Sequence, residues 1–480
     1  MEPTSLADLA LMVGAQLELS ARADRLVGPQ VVIDSRQAQP DCLFVALPGQ
    51  RVDGHDYVAA AARAGAAAAL VARPTAVDGL ADLVLDDPLA GLARLATAVV
   101  ARAKPRLQVI GLTGSSGKTT TKDILAQVLA GAGPTVAPVE SQNNDIGAPL
   151  TACRVDRATR YLVSELGARG PGHIADLCRI VRPDVGLVLN VGPAHLGEFG
   201  QPEQTAGAKG ELVEALPADG WAVLNADDRL VAGLAERSAA RLSWFSGQGR
   251  PPAGPVRLWA ERITVGPDQC HRFELVLEDD ALGPRRREVQ LGLAGRHQVD
   301  NALAAAGAAW AVGLDWDQIV AGLSQAESRS RWRWETHRRR DGLLVVNDAY
   351  NANPESMRAA LETAGGLLRQ RRRTNPATRL HLVLGDMLEL GSDSAAYHRS
   401  VGRQAARSGA SWLLAVGQFA DDVLAGAAEA GLVGRAVADG SQAQAALPDL
   451  GRDDILLVKA SRGLSLETVA EAVLGEGRPC

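Results

Sequence analysis

Apolar positions along the chain fall into short continuous runs, separated by stretches in which they recur every three or four residues, the signature of buried strands alternating with amphipathic helices. The run Leu107 to Leu112 predicts a buried strand, and from Lys118 onward Ile124, Leu125, Val128 and Leu129 keep helical spacing. Tyr161 to Leu166, Val185 to Val191 and Trp221 to Asn225 repeat the pattern out to about Val312. Alternation of this kind predicts a mostly parallel sheet covered on both faces. Between Trp244 and Leu293 the pattern changes: Phe273 to Leu277 and Val289 to Leu293 are short runs between charged turns, which predicts an antiparallel insertion.

Ahead of this region, Val31 to Asp34 and Leu43 to Leu47 predict strands, Tyr57 to Ala68 a helix and Ala69 to Val71 a further strand. Helical spacing from Leu89 through Val99 and Val100 then leads to Ala103-Lys104-Pro105, a boundary by composition. After Gly313 the alternation resumes, with strands at Leu343 to Val346, Leu380 to Leu384, Trp412 to Val416 and Ile455 to Val458, each followed by a helical stretch. The fold class expected is α/β in three domains. A small N-terminal α/β domain spans 1–103, a central P-loop domain with a mostly parallel sheet spans 104–313, and a C-terminal Rossmann-like domain with no glycine fingerprint spans 314–480.

Composition agrees with three cores, because 480 residues is about three times the usual 150 per domain. The net charge of -6 and the lack of a basic stripe argue against nucleic acid as a partner. The short run Arg369 to Arg373 reads as a solvated helix end. Cys42, Cys153, Cys178, Cys270 and Cys480 show no zinc-like spacing and fit free thiols in a reducing compartment. Met1 to Val13 lacks a basic segment followed by an apolar core, and the Ala-rich runs are broken by arginine. The expectation is a soluble, monomeric cytoplasmic protein without membrane insertion.

The chemistry centres on Gly114-Ser115-Ser116-Gly117-Lys118-Thr119-Thr120, set between a predicted strand and a predicted helix. Leu112 stands where a full Walker A has its first glycine, so this is the shorter Gly-x-x-Gly-Lys-Thr form. The two glycines allow a tight turn whose amides, with the positive end of the helix dipole, can face a polyphosphate. Lys118 would reach the outer phosphates and the Thr119 hydroxyl a Mg2+. The plainer alternative is an ordinary glycine-rich turn. Three further polar residues stand at or after strand ends: Glu165, able to hold Mg2+ through oxygen, His195, able to offer a nitrogen to a second ion, and Lys209. Singly, each is as well explained as a solvated or satisfied surface group.

In type and order these motifs resemble those of the Mur ligases. The resemblance runs through residues 114–120, Asn143 to Thr151, Glu165 to Arg169, Asn190 to His195, Ala208 to Glu211, Gly295 to His297, Asp348 to Pro354, Gly385 to Gly391 and Lys459 to Arg462. It implies an ATP-dependent amide ligase that joins D-alanyl-D-alanine to a UDP-N-acetylmuramoyl-tripeptide through an acyl phosphate, a cytoplasmic step of peptidoglycan precursor synthesis. Lys118 would then neutralise the β- and γ-phosphates, Thr119 and Glu165 would bind one Mg2+, and His195 a second. Lys209 matches the lysine that is carbamylated in this family and helps position that second ion.

Asn301, Arg333 and Asp348 match nucleotide-holding positions, although Arg329, Arg331 and Arg333 alternate. Ser35, Arg36, Asn144 and Thr151 match the UDP-sugar side, contributed largely by the N-terminal domain. Tyr350, Asn351 and Asn353 would lie near the dipeptide or the adenine. Three positions depart from the family pattern: Gln298 replaces an asparagine, and Asp41 and Ala460 each replace a glycine. Two rival readings remain, a related ligase with another acceptor, such as a folylpolyglutamate synthase or another Mur step, and a non-catalytic nucleotide-gated P-loop module.

Overall fold

The computed structural model describes residues 1–17, 23–49, 52–192 and 201–475. Among them the strands form one small sheet in the N-terminal part, a large one in the middle and a third in the C-terminal part, with an added two-stranded pairing of Thr4–Ser5 with Leu26–Val27.

The N-terminal sheet runs in the order Gln16–Leu17, Ala81–Val84, Ala68–Val71, Leu43–Val45, Val31–Val32, parallel except for the first pair. Its two central strands are buried on both faces, so they read as unbroken apolar runs. The predicted strand Val31 to Asp34 stops at Val32 because the Asp34 carboxylate accepts the Arg36 amide and opens the turn Ser35–Gln37. The predicted helix Tyr57 to Ala68 is shorter, Val58–Arg63, since Gly65 takes φ +108 and a Cβ there would lie 3.0 Å from the Pro40 backbone. Asp41 likewise stands at φ +64, a conformation that glycine adopts without strain.

The helix Pro88–Ala103 joins this sheet to the middle of the chain. Asp87 caps it by accepting the Leu89 and Ala90 amides, Pro88 occupies its first turn, and Leu92, Leu95, Ala96, Val99 and Val100 form its buried stripe. That stripe packs toward the helices Gly147–Ala152 and His173–Val181.

In the central sheet Gln108–Thr113 lies between Tyr161–Glu165 and Val185–Val188, all parallel, with Thr135–Val136 beyond the first neighbour and Trp221–Asn225, Arg241–Ser246 and Val256–Val265 beyond the second. Val256–Val265, Cys270–Asp279 and Gly283–Ala294 then pair antiparallel, as the change of pattern predicted. These strands are longer than their apolar runs. Their outer face is held by charge pairs such as Arg286 Nη1 with Glu261 (2.8 Å) and Glu274 (3.1 Å), so alternation there is charged against apolar. The helix His297–Ala311 covers one face and buries an almost continuous alanine-rich surface.

The C-terminal sheet runs Glu335–Arg338, Leu344–Asp348, Ile455–Lys459, Leu380–Gly385, Trp412–Val416, Gly434–Val437, with only the first pair antiparallel. Its two edge strands, Glu-Thr-His-Arg and Gly-Arg-Ala-Val, carry no apolar run and were not foreseen. The result is an α/β chain with sheets that are mainly parallel, and the carboxyl ends of the middle and last sheets are where the polar residues gather.

Candidate active site

The phosphate loop follows from its neighbours. Gly117 takes φ +81 immediately before the helix Lys118–Ala130, and a Cβ there would lie 2.6 Å from Asn301 Oδ1. A Cβ on Gly114 would lie 2.8 Å from the Leu189 Cβ. The cradle therefore has no room for side chains at either glycine. Asn190 shapes it from the adjacent strand end: its carbonyl accepts the Ser115 amide (3.1 Å) and its Oδ1 the Ser116 amide (2.8 Å). The loop amides that sequence had facing a phosphate are thus partly engaged, and the helix-start amides of Lys118 to Thr120 remain as the unpaired donors of the first turn. Gly117→Ala is expected to lower stability by about 1–2 kcal/mol through the left-handed conformation alone, measurable as a drop in Tm, and to weaken nucleotide binding by displacing Asn301.

Asn301 is nearly buried, with its Oδ1 accepting the Thr121 hydroxyl (3.1 Å) and its Nδ2 donating to Gln298 (2.8 Å). Gln298, the departure from the family pattern, thereby orients Asn301. Lys118 is partly buried and donates to the Gly114 carbonyl at 2.7 Å. Burial pushes its pKa down, as does Arg333, while Glu165 and Glu389 pull it up.

Glu165, at the end of its strand, is fully buried. Its Oε1 accepts the Ser141 hydroxyl (2.9 Å) and the Asn143 amide (2.8 Å), whereas its Oε2 is buried without a partner. A buried carboxylate oxygen left without a donor is costly unless something completes it. A hard cation does so, and Thr119, 2% exposed on the first turn of the P-loop helix, supplies a hydroxyl from the neighbouring element. The residues present therefore fit one Mg2+. Of the two residues that hold the other oxygen, Asn143 opens a motif of the family resemblance but was given no role there, and Ser141 carried no signal beyond its place in a polar loop.

Lys209 lies on the helix Pro202–Glu214 and is 3% exposed. Among the described residues no carboxylate stands within ion-pair distance of its ammonium. Burial, then the charge of Lys118, push its pKa down to about 7, against a smaller upward pull from Glu355. His195 lies outside the described residues.

The third domain closes over this cradle. Asn353 caps the helix Pro354–Arg372, and its side chain reaches Ser116 Oγ (3.0 Å) and the Ser115 carbonyl (3.5 Å). Glu355, two residues on, fits against Gly192, where a Cβ would overlap both carboxylate oxygens. Of the three alternating arginines, Arg333 is the one whose charge reaches Lys118; it lies over the Tyr350 ring at 4.4 Å and has a buried, unpartnered Nε. Asp348 accepts Lys459 Nζ (2.7 Å) and the Trp334 amide (3.1 Å). Asn351 is exposed and binds its own chain through the Ala352 amide. Glu355 was not singled out from sequence, and Lys459, which opens a motif of the family resemblance, was given no role, although it ends an apolar strand as Glu165 does.

The sugar-side positions are less convergent. Ser35 and Arg36 lie in an exposed turn where Arg36 pairs with Asp34 (2.7 Å). Asn144 accepts the Gly147 amide (2.8 Å) in the turn that leads into the helix Gly147–Ala152. Thr151 is fully buried and donates to Gly147 within that helix (2.9 Å), a structural place.

Three family models match the chain: "Mur ligase family, catalytic domain" over residues 30–110, "Mur ligase middle domain" over 112–309 and "Mur ligase, glutamate ligase domain" over 332–462. The chain is 42% identical to the UDP-N-acetylmuramoyl-tripeptide-D-alanyl-D-alanine ligase of Mycobacterium tuberculosis, with 98% of both proteins covered. It is 36% identical to the Escherichia coli ligase of that name, covering 93% of this chain and 94% of that one. Among solved structures, MurF from Acinetobacter baumannii superposes with a TM-score of 0.83 at 32% identity over 99% of both chains. MurF ligase from Thermotoga maritima in complex with ADP gives 0.74 at 26% identity, over 93% of this chain and 97% of that one.

Proposed function

The chain belongs to the Mur ligase family, and from that premise we propose that it couples ATP cleavage to amide formation between D-alanyl-D-alanine and a UDP-N-acetylmuramoyl-tripeptide. The observation that carries the reading is that separate stretches of chain gather at the phosphate loop: Asn353 reaches Ser116 Oγ at 3.0 Å, the charges of Glu165 and Arg333 act on the Lys118 ammonium, and that ammonium acts in turn on Lys209. A site that transfers a phosphoryl group to a carboxylate needs concentrated positive charge, because two anions must approach each other.

Lys118 and the helix-start amides hold the outer phosphates of ATP. Thr119 and Glu165 would hold one Mg2+, and His195 with carbamylated Lys209 a second; when bound, these ions neutralise phosphate oxygens and orient them. Asn301, Arg333 and Asp348 face the nucleotide, and Asn353 locks the third domain onto Ser116. The tripeptide carboxylate takes up the γ-phosphoryl group to give an acyl phosphate, which the dipeptide amine then opens with loss of phosphate. Closure of the third domain keeps water from the acyl phosphate. Ser35, Arg36 and Asn144 are proposed for the UDP-sugar, and Tyr350 and Asn351 for the dipeptide side.

Asn353 reaches Ser116 within the same chain, and a monomer is the matching proposal. No helix among the described residues is long and apolar enough to cross a membrane, and Cys42, Cys153, Cys178 and Cys270 are buried and unbridged. A reducing, cytoplasmic setting is the matching proposal.

Phosphate release is expected only when ATP, the UDP-tripeptide and D-alanyl-D-alanine are all present, read in a coupled phosphate assay against mixtures lacking one of them. Rapid hydrolysis of ATP alone would sink the ligase reading, and turnover with folate and glutamate instead would move it to another acceptor.

A further inference from the structure

An amine substrate poses a problem that the cationic site does not solve. An α-amino group has a pKa of about 8, so at pH 7 it arrives largely as an ammonium without a lone pair. It must reach a site crowded with lysine and arginine and give up a proton there. A carboxylate at the cradle without a cation of its own is therefore to be expected. Glu165 is not that group, since two side-chain donors occupy one oxygen and the other suits a metal. Asp228 is committed as well, accepting the Val191 amide at 2.7 Å and the Leu230 amide at 2.9 Å.

Glu355 remains. It stands on the first turn of the helix Pro354–Arg372, whose cap, Asn353, is fastened to Ser115 and Ser116. Its carboxylate lies in the gap between the phosphate loop and Gly192, where a Cβ would overlap it. Among the described residues it makes no ion pair. The groups facing it are Ser116 from the loop, Asp228 from the turn after Trp221–Asn225, Lys209 from the helix Pro202–Glu214 and Arg358 from its own helix. Burial, with Asp228 adding to it, pushes its pKa up, against Ser116, Arg358 and Lys209, which places it nearer the range of a useful base.

We propose that Glu355 receives the ammonium of the incoming dipeptide and takes its proton, a role that rests on the ligase reading given above. The freed nitrogen lone pair forms the C–N bond to the acyl carbon. The adduct then collapses as the C–O bond to phosphate breaks; phosphate leaves with that electron pair and accepts the second N–H proton. Glu355 returns its own proton to solvent once the site opens.

The test compares two nucleophiles in wild type, Glu355→Gln and Glu355→Asp. Hydroxylamine is neutral at pH 7 and needs no base to attack an acyl phosphate, so it reports the first half-reaction. Glu355→Gln should lose about 100-fold or more in kcat/KM for D-alanyl-D-alanine, while hydroxamate formation from ATP and UDP-tripeptide stays within a few-fold. In Gln the acidic limb of the dipeptide pH profile should move up to the amine's own pKa of about 8, and in Asp it should return toward its wild-type position. Dipeptide ligation by Glu355→Gln at the wild-type rate would overturn the assignment. So would an equal loss of ligation and hydroxamate, which would mark a structural role at the domain contact. A wild type that forms hydroxamate but never the dipeptide product would remove the acceptor reading, and this inference with it.

Discussion

Lys209→Ala is expected to abolish turnover, by a factor on the order of 10²–10³ or more, while ADP binding changes only a few-fold and Tm does not fall. The argument starts from burial. An ammonium that is 3% exposed and repelled by Lys118 is an expensive cation, and its pKa of about 7 records that cost. At pH 7 roughly half of this amine is neutral, against a few parts in ten thousand for a free lysine of pKa about 10.4. A neutral amine adds CO2: a C–N bond forms, one proton leaves, and the product is an anion. The same change turns repulsion from Lys118 into attraction. Occupancy of the carbamate should therefore rise with pH through about 7 and fall below it as the amine protonates. Activity of enzyme stripped of CO2 at pH 6 should be low and return on adding bicarbonate at pH 8. A short carboxylic acid filling the space left in Lys209→Ala should restore part of the rate. Full activity in that variant would remove the carbamate from the mechanism.

How much of this was legible in the chain depends on which force fixes each element. The parallel strands were readable because burial on both faces makes them unbroken apolar runs, and Trp221–Asn225 and Trp412–Val416 fall where the pattern put them. The antiparallel insertion was readable but the length of its strands was not, and the edge strands Glu335–Arg338 and Gly434–Val437 were missed, since one side of each faces water or ends the sheet and charged residues there hide the period. At the site, Glu165 was legible because a charge that ends an apolar run is conspicuous, whereas Lys209, in the middle of the helix Pro202–Glu214, stood out only through the family motif. Glu355 was not, because an acid on the first turn of a helix is already explained by the helix dipole. Only the contact between domains, Asn353 on Ser116, turns that ordinary first-turn acid into a group at the phosphate cradle.

Lys118→Ala should be at least as damaging as the loss of Lys209, and for a different reason. Its ammonium lies across the cradle, 2.7 Å from the Gly114 carbonyl, and it is where the charges of Glu165, Arg333 and Glu389 meet. Removing it takes away the charge that draws in the outer phosphates, leaves Glu165 without the balancing charge of Lys118 and loosens the loop that Gly114 begins. ADP affinity should fall by roughly 10- to 100-fold, the loss of one charge-assisted contact at about 1.5–3 kcal/mol. Acyl-phosphate formation, trapped as hydroxamate, should fall by a factor on the order of 10³, since transition-state charge is lost together with ground-state binding. Lys118→Arg should not restore it. A planar guanidinium needs more width than an ammonium, and the cradle has none to give, with Leu189 and Asn301 both within 3 Å of where a Cβ would fall on its two glycines. Calorimetry with ADP and the hydroxamate assay separate the two losses. Turnover within tenfold of wild type in Lys118→Ala would mean that phosphoryl transfer is driven from somewhere other than this loop.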